Sequence, residues 1–140
     1  LKRNTFKYIE DILRDYPNID QHIKERELAL RYSTQPADEN VGGGRAQNKY
    51  TQPVLNMLIT IDEDTRLTAL KNNQKAINDI LDESGIDTIT IINELYFKKR
   101  PVYTMNGLVE NNLISVGKSK AYDLRNNFFE NLARKLGLIS

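Results

Sequence analysis

The 140-residue sequence contains no cysteine, a single histidine and no long apolar run. Without thiols neither a disulfide framework nor a thiolate zinc site can form, which suits a reducing cytosol. His22, in a charged amphipathic stretch, has no second ligand at metal-binding spacing and reads as a surface or core-edge side chain. No stretch approaches the ~20 consecutive apolar residues that a membrane span requires. Residues 1–16 are amphipathic and charged throughout, unlike a signal peptide, so a soluble, intracellular protein with no membrane association is expected.

Phosphate loops are missing too. The run Gly42, Gly43, Gly44 is followed by Arg45, Ala46 and Gln47, where a nucleotide-binding loop needs a Lys and then a Ser or Thr. Asp62, Glu63 and Asp64 are adjacent, and on a helix they point in different directions; they suit a solvated start to the next helix. No nucleophile stands with a base, so neither catalysis nor a cofactor is expected.

What is present is an uneven distribution of charge. Residues 95–140 hold eight basic side chains (Lys98, Lys99, Arg100, Lys118, Lys120, Arg125, Arg134, Lys135) against Glu110, Asp123 and Glu130, a net of +5. Residues 1–94 hold 12 basic and 16 acidic ones, so an overall balance of +1 conceals a basic end on an acidic body. A polyanion is the natural partner for such an end.

Helical periodicity runs through most of the chain. Asn4 or Thr5 can cap a first helix bearing Phe6, Ile9, Ile12, Leu13 and Tyr16 on one face, which Pro17 ends or bends. A second helix from about Ile19 carries Ile23, Leu28 and Leu30. Residues 34–52, with the glycine run, read as a linker. Pro53 can start a helix with Leu55, Met57, Leu58 and Ile61. Leu67, Leu70, Gln74, Ile77 and Leu81 then predict a long helix over 66–83, a packing spine or a homodimer seam, closed by Gly85. Asp87 or Thr88 opens another helix with Ile89, Ile92, Leu95 and Tyr96 inward. Residues 88–92 also alternate like a strand, yet have no second strand to pair with.

The chain is organised around residues 104–137, which read as a helix-turn-helix. Met105, Leu108, Val109 and Leu113 line the first helix. In the second, Ala121, Leu124, Phe128, Leu132 and Leu136 fall within about 60° of one line at ~100° per residue, and Gly137 supplies the C-terminal cap. The opposite side carries Ser119, Tyr122, Asp123 and Asn126 near the N-terminus, the end a recognition helix inserts into the major groove. Lys118, Lys120 and Arg125 are placed to hold phosphates, Ser119, Tyr122 and Asn126 to reach base edges, and Asp123 to accept from cytosine N4. Lys98, Lys99 and Arg100 are further candidate phosphate contacts.

The sequence resembles the phage late-gene transcriptional activators of the RinA type, and its last third looks like the fourth region of bacterial sigma factors. The likeness rests on Asp15, Tyr16, Pro17 and Asn18; on Asp38, Glu39, Asn40, Val41, Gly42 and Gly43; and on residues 78–81. It continues in Glu94, Leu95, Tyr96 and Phe97, and in Leu132, Ala133, Arg134, Lys135, Leu136 and Gly137. The resemblance implies a phage-encoded regulator in a bacterial cytoplasm that binds promoter DNA, switches on packaging and structural genes, and reads through residues 118–126. Gly117 stands where such proteins often carry a capping Ser, so Ser115 is the alternative cap. Ala121 and Asp123 replace bulkier or basic residues.

The expected protein is therefore all-α. Residues 1–33 form a helical segment, 34–52 a linker, and 53–140 a helical DNA-binding domain. Its expected role is a sequence-specific regulator of double-stranded promoter DNA that also meets RNA polymerase. Its rivals are a small terminase subunit, which light scattering would reveal as a large ring, and a helical adaptor or antirepressor that never touches DNA.

Overall fold

Phe6, Ile9, Ile12 and Leu13 step by three and four residues, and they form the inner face of α1 (Arg3–Asp15). The computed structural model describes residues 1–34 and 64–140, in which every regular element is helical. After α1 come a single 3₁₀ turn, Tyr16–Asn18, and α2 (Ile19–Thr34). Then follow α3 (Thr65–Glu83), α4 (Ile86–Ile92) with a π turn at Asn93–Phe97, α5 (Met105–Glu110) and α6 (Lys118–Lys135). The fold is all-α. The glycine run, the helix expected from Pro53, and Asp62 and Glu63 lie outside the described residues.

Leu1–Asn18 and Asn72–Ser140 make one compact unit, and Ile19–Lys71 belongs to a second. α1 shares a core with the C-terminal helices. Ile9, Ile12 and Leu13 meet Ala76, Ile77 and Ile80 of α3, Ile92 and Tyr96, and Phe128, Phe129, Leu132 and Ala133 of α6. Each isoleucine, leucine and phenylalanine among them contributes about 1.5–3 kcal/mol by leaving water. Phe129 is at the centre, its ring 4.7 Å from that of Phe6 and 5.5 Å from that of Tyr96. The Tyr96 hydroxyl donates to Glu10 at 3.0 Å, while the Arg14 guanidinium lies 5.4 Å from its ring centre. Burial, then the Glu10 charge, pushes the Tyr96 phenol up to about 12. Pro17 is accommodated by the 3₁₀ turn, where Tyr16 stacks on Phe97 and donates its hydroxyl to Asn78.

Several local expectations are corrected. Neither Asn4 nor Thr5 caps α1, since Phe6 N–H already bonds the Lys2 carbonyl and both residues lie inside the first turn. Gly85 does not close α3. It has φ −76° and precedes α4 in the N-cap position, which therefore falls to neither Asp87 nor Thr88. Ser84 ends α3 instead, its N–H bonding Leu81 O and its hydroxyl Ile80 O. The helix expected over residues 88–92 is present. Ile91, Ile92 and Tyr96 are buried, and a π turn follows Ile92.

In the second unit Asp64 begins α3. Its Oδ2 accepts Leu67 N–H at 2.7 Å, and its carboxylate takes two bonds from Arg26, at 2.7 and 3.0 Å. Arg26 first, then the Leu67 amide, lowers the Asp64 carboxyl from 3.8 to about 2. A lowered carboxyl pKa stabilises the fold above its ordinary value, and that contribution fades as pH falls toward the folded one. The difference in Tm between the protein and Asp64→Asn should therefore be constant from pH 7 to 5 and close between about pH 4 and 2. Thermal melts across that range check it.

Candidate nucleic-acid interface

Thr104 starts α5, its hydroxyl oxygen accepting Gly107 N–H at 3.1 Å. Met105 and Leu108 turn inward, while Asn106 and Glu110 are exposed. The helix ends at Glu110, a turn earlier than the apolar pattern suggested. Asn112 has φ +57°, with Leu113 N–H bonding Leu108 O and Asn112 N–H bonding Val109 O. This paired reversal is usually made by glycine, and asparagine is the side chain that best tolerates it. It swings Leu113 out to 39% exposure and puts Ile114 in the core at 5%, correcting the inward placement of Leu113. Asn112→Ala should cost about 1 kcal/mol and Asn112→Gly should cost nothing or stabilise slightly, as urea denaturation can measure.

The connection to α6 is held from behind. Ser115 donates its hydroxyl to Asp87 at 2.6 Å and its N–H at 3.2 Å. Ser115 is therefore not the cap of α6. Gly117 occupies that position in extended backbone and offers no side-chain acceptor. The first amides of α6 are left to solvent or to a ligand. Ile91, Met105, Leu108, Ile114 and Ala121 form a second apolar cluster that locks α5 and the connection to α6.

Further along α6, Phe128, Leu132 and Ala121 are buried as their spacing predicts, and Leu124 and Leu136 are half-buried. Phe129 and Ala133 are fully buried as well. The single stripe drawn from the sequence missed them because α6 is covered on two sides, by α1 and by α4 with α5. The adjacent phenylalanines were the available signal. Gly137 does close α6, at φ +75°, with Leu138 N–H on Ala133 O.

The outward side of α6 carries Lys118, Ser119, Lys120, Asp123 and Asn126, all exposed, with Tyr122 half-buried among them. No acidic partner approaches Lys118 or Lys120 among the described residues. Arg125 is placed differently from the two lysines. Its guanidinium lies 4.9 Å from the Phe6 ring, 5.0 Å from Tyr122 and 5.8 Å from Phe129, and it donates to Asn126 Oδ1 at 3.1 and 3.3 Å. Lys98 pairs with Glu94, 2.6 Å from Oε2, whereas Lys99 and Arg100 are exposed in the segment leading to α5. At the far end Lys135 pairs with Asp79 at 3.4 Å, and Arg134 donates to the Ser140 carbonyl. Among the described residues, the basic last third of the chain thus has its unpaired lysines and Arg100 ahead of α5 and at the start of α6.

The family described as "Protein of unknown function (DUF722)" matches residues 6–134, from the Phe6 ring under Arg125 to the last turn of α6. The chain belongs to that family. Among curated proteins, the "Transcriptional activator rinA" of Staphylococcus phage phi11 is 26% identical over 140 residues, covering 98% of this chain and 94% of that one. No solved structure matches the chain. Among the described residues no group of His, Asp and Glu is placed to hold a metal ion, and no helix is long and apolar enough to cross a membrane.

Proposed function

We propose that this chain is a phage transcriptional regulator that binds duplex DNA with α5 and α6 acting as a helix-turn-helix. The observation that carries the reading is the pair Lys118 and Lys120, exposed and without acidic partners among the described residues, on either side of Ser119 at a helix start with no side-chain cap. Free amides, the helix dipole and two cations all favour phosphate at that point. Ser119, Tyr122 and Asn126 then lie along the stripe that would face base edges, with Asp123 an acceptor for cytosine N4. Lys99 and Arg100 would add backbone contacts. Arg125, stacked on aromatic rings, supports the stripe rather than a phosphate. The near full-length relative, a phage protein named as a transcriptional activator, supports the regulatory role. RNA polymerase is then a further partner, in a bacterial cytoplasm.

The test is binding of the full chain to duplexes from the region upstream of the phage late and packaging genes, followed over salt concentration, with footprinting of the bound site. A protected site with affinity falling steeply as salt rises is the expected result. Absent or salt-insensitive binding would sink the reading and favour a protein adaptor.

A further inference from the structure

Asp87 and Ser115, 28 residues apart, carry an inference that rests on the DNA-binding reading and goes beyond it. Both oxygens of the Asp87 carboxylate are engaged by this one residue: Ser115 donates its hydroxyl to Oδ2 at 2.6 Å and its N–H to Oδ1 at 3.2 Å. Two donors, each on its own oxygen, fix the carboxylate against the backbone of the turn, and both bonds are strengthened by its charge. The pair lies at the edge of the second apolar cluster, since Ile114 precedes Ser115 and Ile91 is one helical turn beyond Asp87. The start of α6 has no anchor of its own, because Gly117 at the N-cap offers no side chain. Among the described residues Ser115 makes the last polar contact with another element before α6 begins, three residues ahead of Lys118.

We infer that Asp87 is a positioning residue for DNA recognition: through Ser115 it fixes where α6 begins, and so governs discrimination between a specific site and other duplex DNA. Lys118 and Lys120 carry their charges on flexible stems that can follow a phosphate through a small displacement of the helix. Ser119, Asp123 and Asn126 are short, and a hydrogen bond to a base edge weakens steeply once its distance or angle departs from the optimum. Phosphate contacts carry no sequence information, whereas base contacts do. Releasing the turn from α4 therefore weakens the specific complex and leaves the non-specific one almost unaltered.

The experiment compares affinities of the full chain for a site selected from randomised duplexes by the unaltered protein and for a random duplex, at a temperature where every variant is folded by circular dichroism. Ser115→Ala removes one of the two donors without changing charge. It should weaken binding to the selected site about tenfold, the scale of one mismatched base pair, and leave the random duplex within about twofold. Asp87→Asn keeps one acceptor and turns an NH₂ toward the other donor; because it also removes a negative charge, its readout is the ratio of the two affinities, which should fall about tenfold. The double variant should lose no more than either single one, and Ser115→Thr, which keeps the hydroxyl, should behave like the unaltered protein. A ratio unchanged in both single variants would overturn the inference, as would losses that add in the double variant. Equal weakening on both duplexes by Ser115→Ala would make Ser115 a contact to the DNA backbone and overturn it too. Should one single variant fail to fold, the other decides. If the unaltered protein selects no site at all, the DNA reading itself fails, which is a different result from a site whose selection ignores Asp87.

Discussion

Replacing both Lys118 and Lys120 by alanine should leave the fold intact and weaken DNA binding roughly 60-fold at ~0.1 M salt, for every sequence alike. Each phosphate contact steepens the dependence of log affinity on log salt by about 0.9, so removing two should make it shallower by about 1.8. Extrapolated from 1 M, where this electrostatic gain vanishes, to 0.1 M, that change in slope amounts to about 1.8 decades. Both lysines are exposed and lack acidic partners among the described residues, so stability should change by less than about 0.5 kcal/mol. Lys135→Ala is the control: Lys135 pairs with Asp79 at the other end of α6, and its loss should not alter the slope. Equal effects from the two ends would mean that binding follows net charge, not the start of α6. Fluorescence anisotropy with a labelled duplex at four or five salt concentrations distinguishes these outcomes.

The second large effect is on stability. Phe129→Ala should cost about 3–5 kcal/mol, a large part of what a domain of this size has. Phe129 is fully buried, and its ring meets Phe6 of α1, Tyr96 of the π turn and the Arg125 guanidinium. Truncation leaves a cavity where three elements converge, and rigid helices cannot all move in to fill it. Tm should fall by roughly 10–20 °C, and DNA binding should fall with it, because α1 and Arg125 lose their common support. Phe129→Leu keeps most of the volume and should cost about a third as much. A loss below about 1 kcal/mol for the alanine variant in urea denaturation would contradict this placement of the core.

Much of the candidate site was legible because it depends on local chemistry. Helical spacing placed Ala121, Phe128 and Leu132 inside and Ser119, Asp123 and Asn126 outside, and Gly137 marked the end of α6. Composition separated the basic end from the acidic body. Features that depend on a partner distant in the chain were not legible. Arg125 looked like any surface cation until Phe6, 119 residues earlier, supplied a ring for it to stack on. Ser115 looked like a helix cap, yet Asp87 takes both of its donors. Leu113 looked inward because a helical wheel assumes that the helix continues, and the left-handed turn at Asn112 interrupts it.

By itself the sequence determined the all-helical class, the amphipathic faces and the concentration of positive charge in the last third, since each follows from residue type and from spacing over one or two turns. Tertiary structure alone decided that α1 joins the C-terminal core, that α6 is covered on two sides, and that Arg125 serves the protein's own aromatic rings. Those outcomes depend on which surfaces exclude water together, and periodicity within one helix carries no information about the helix that will cover it.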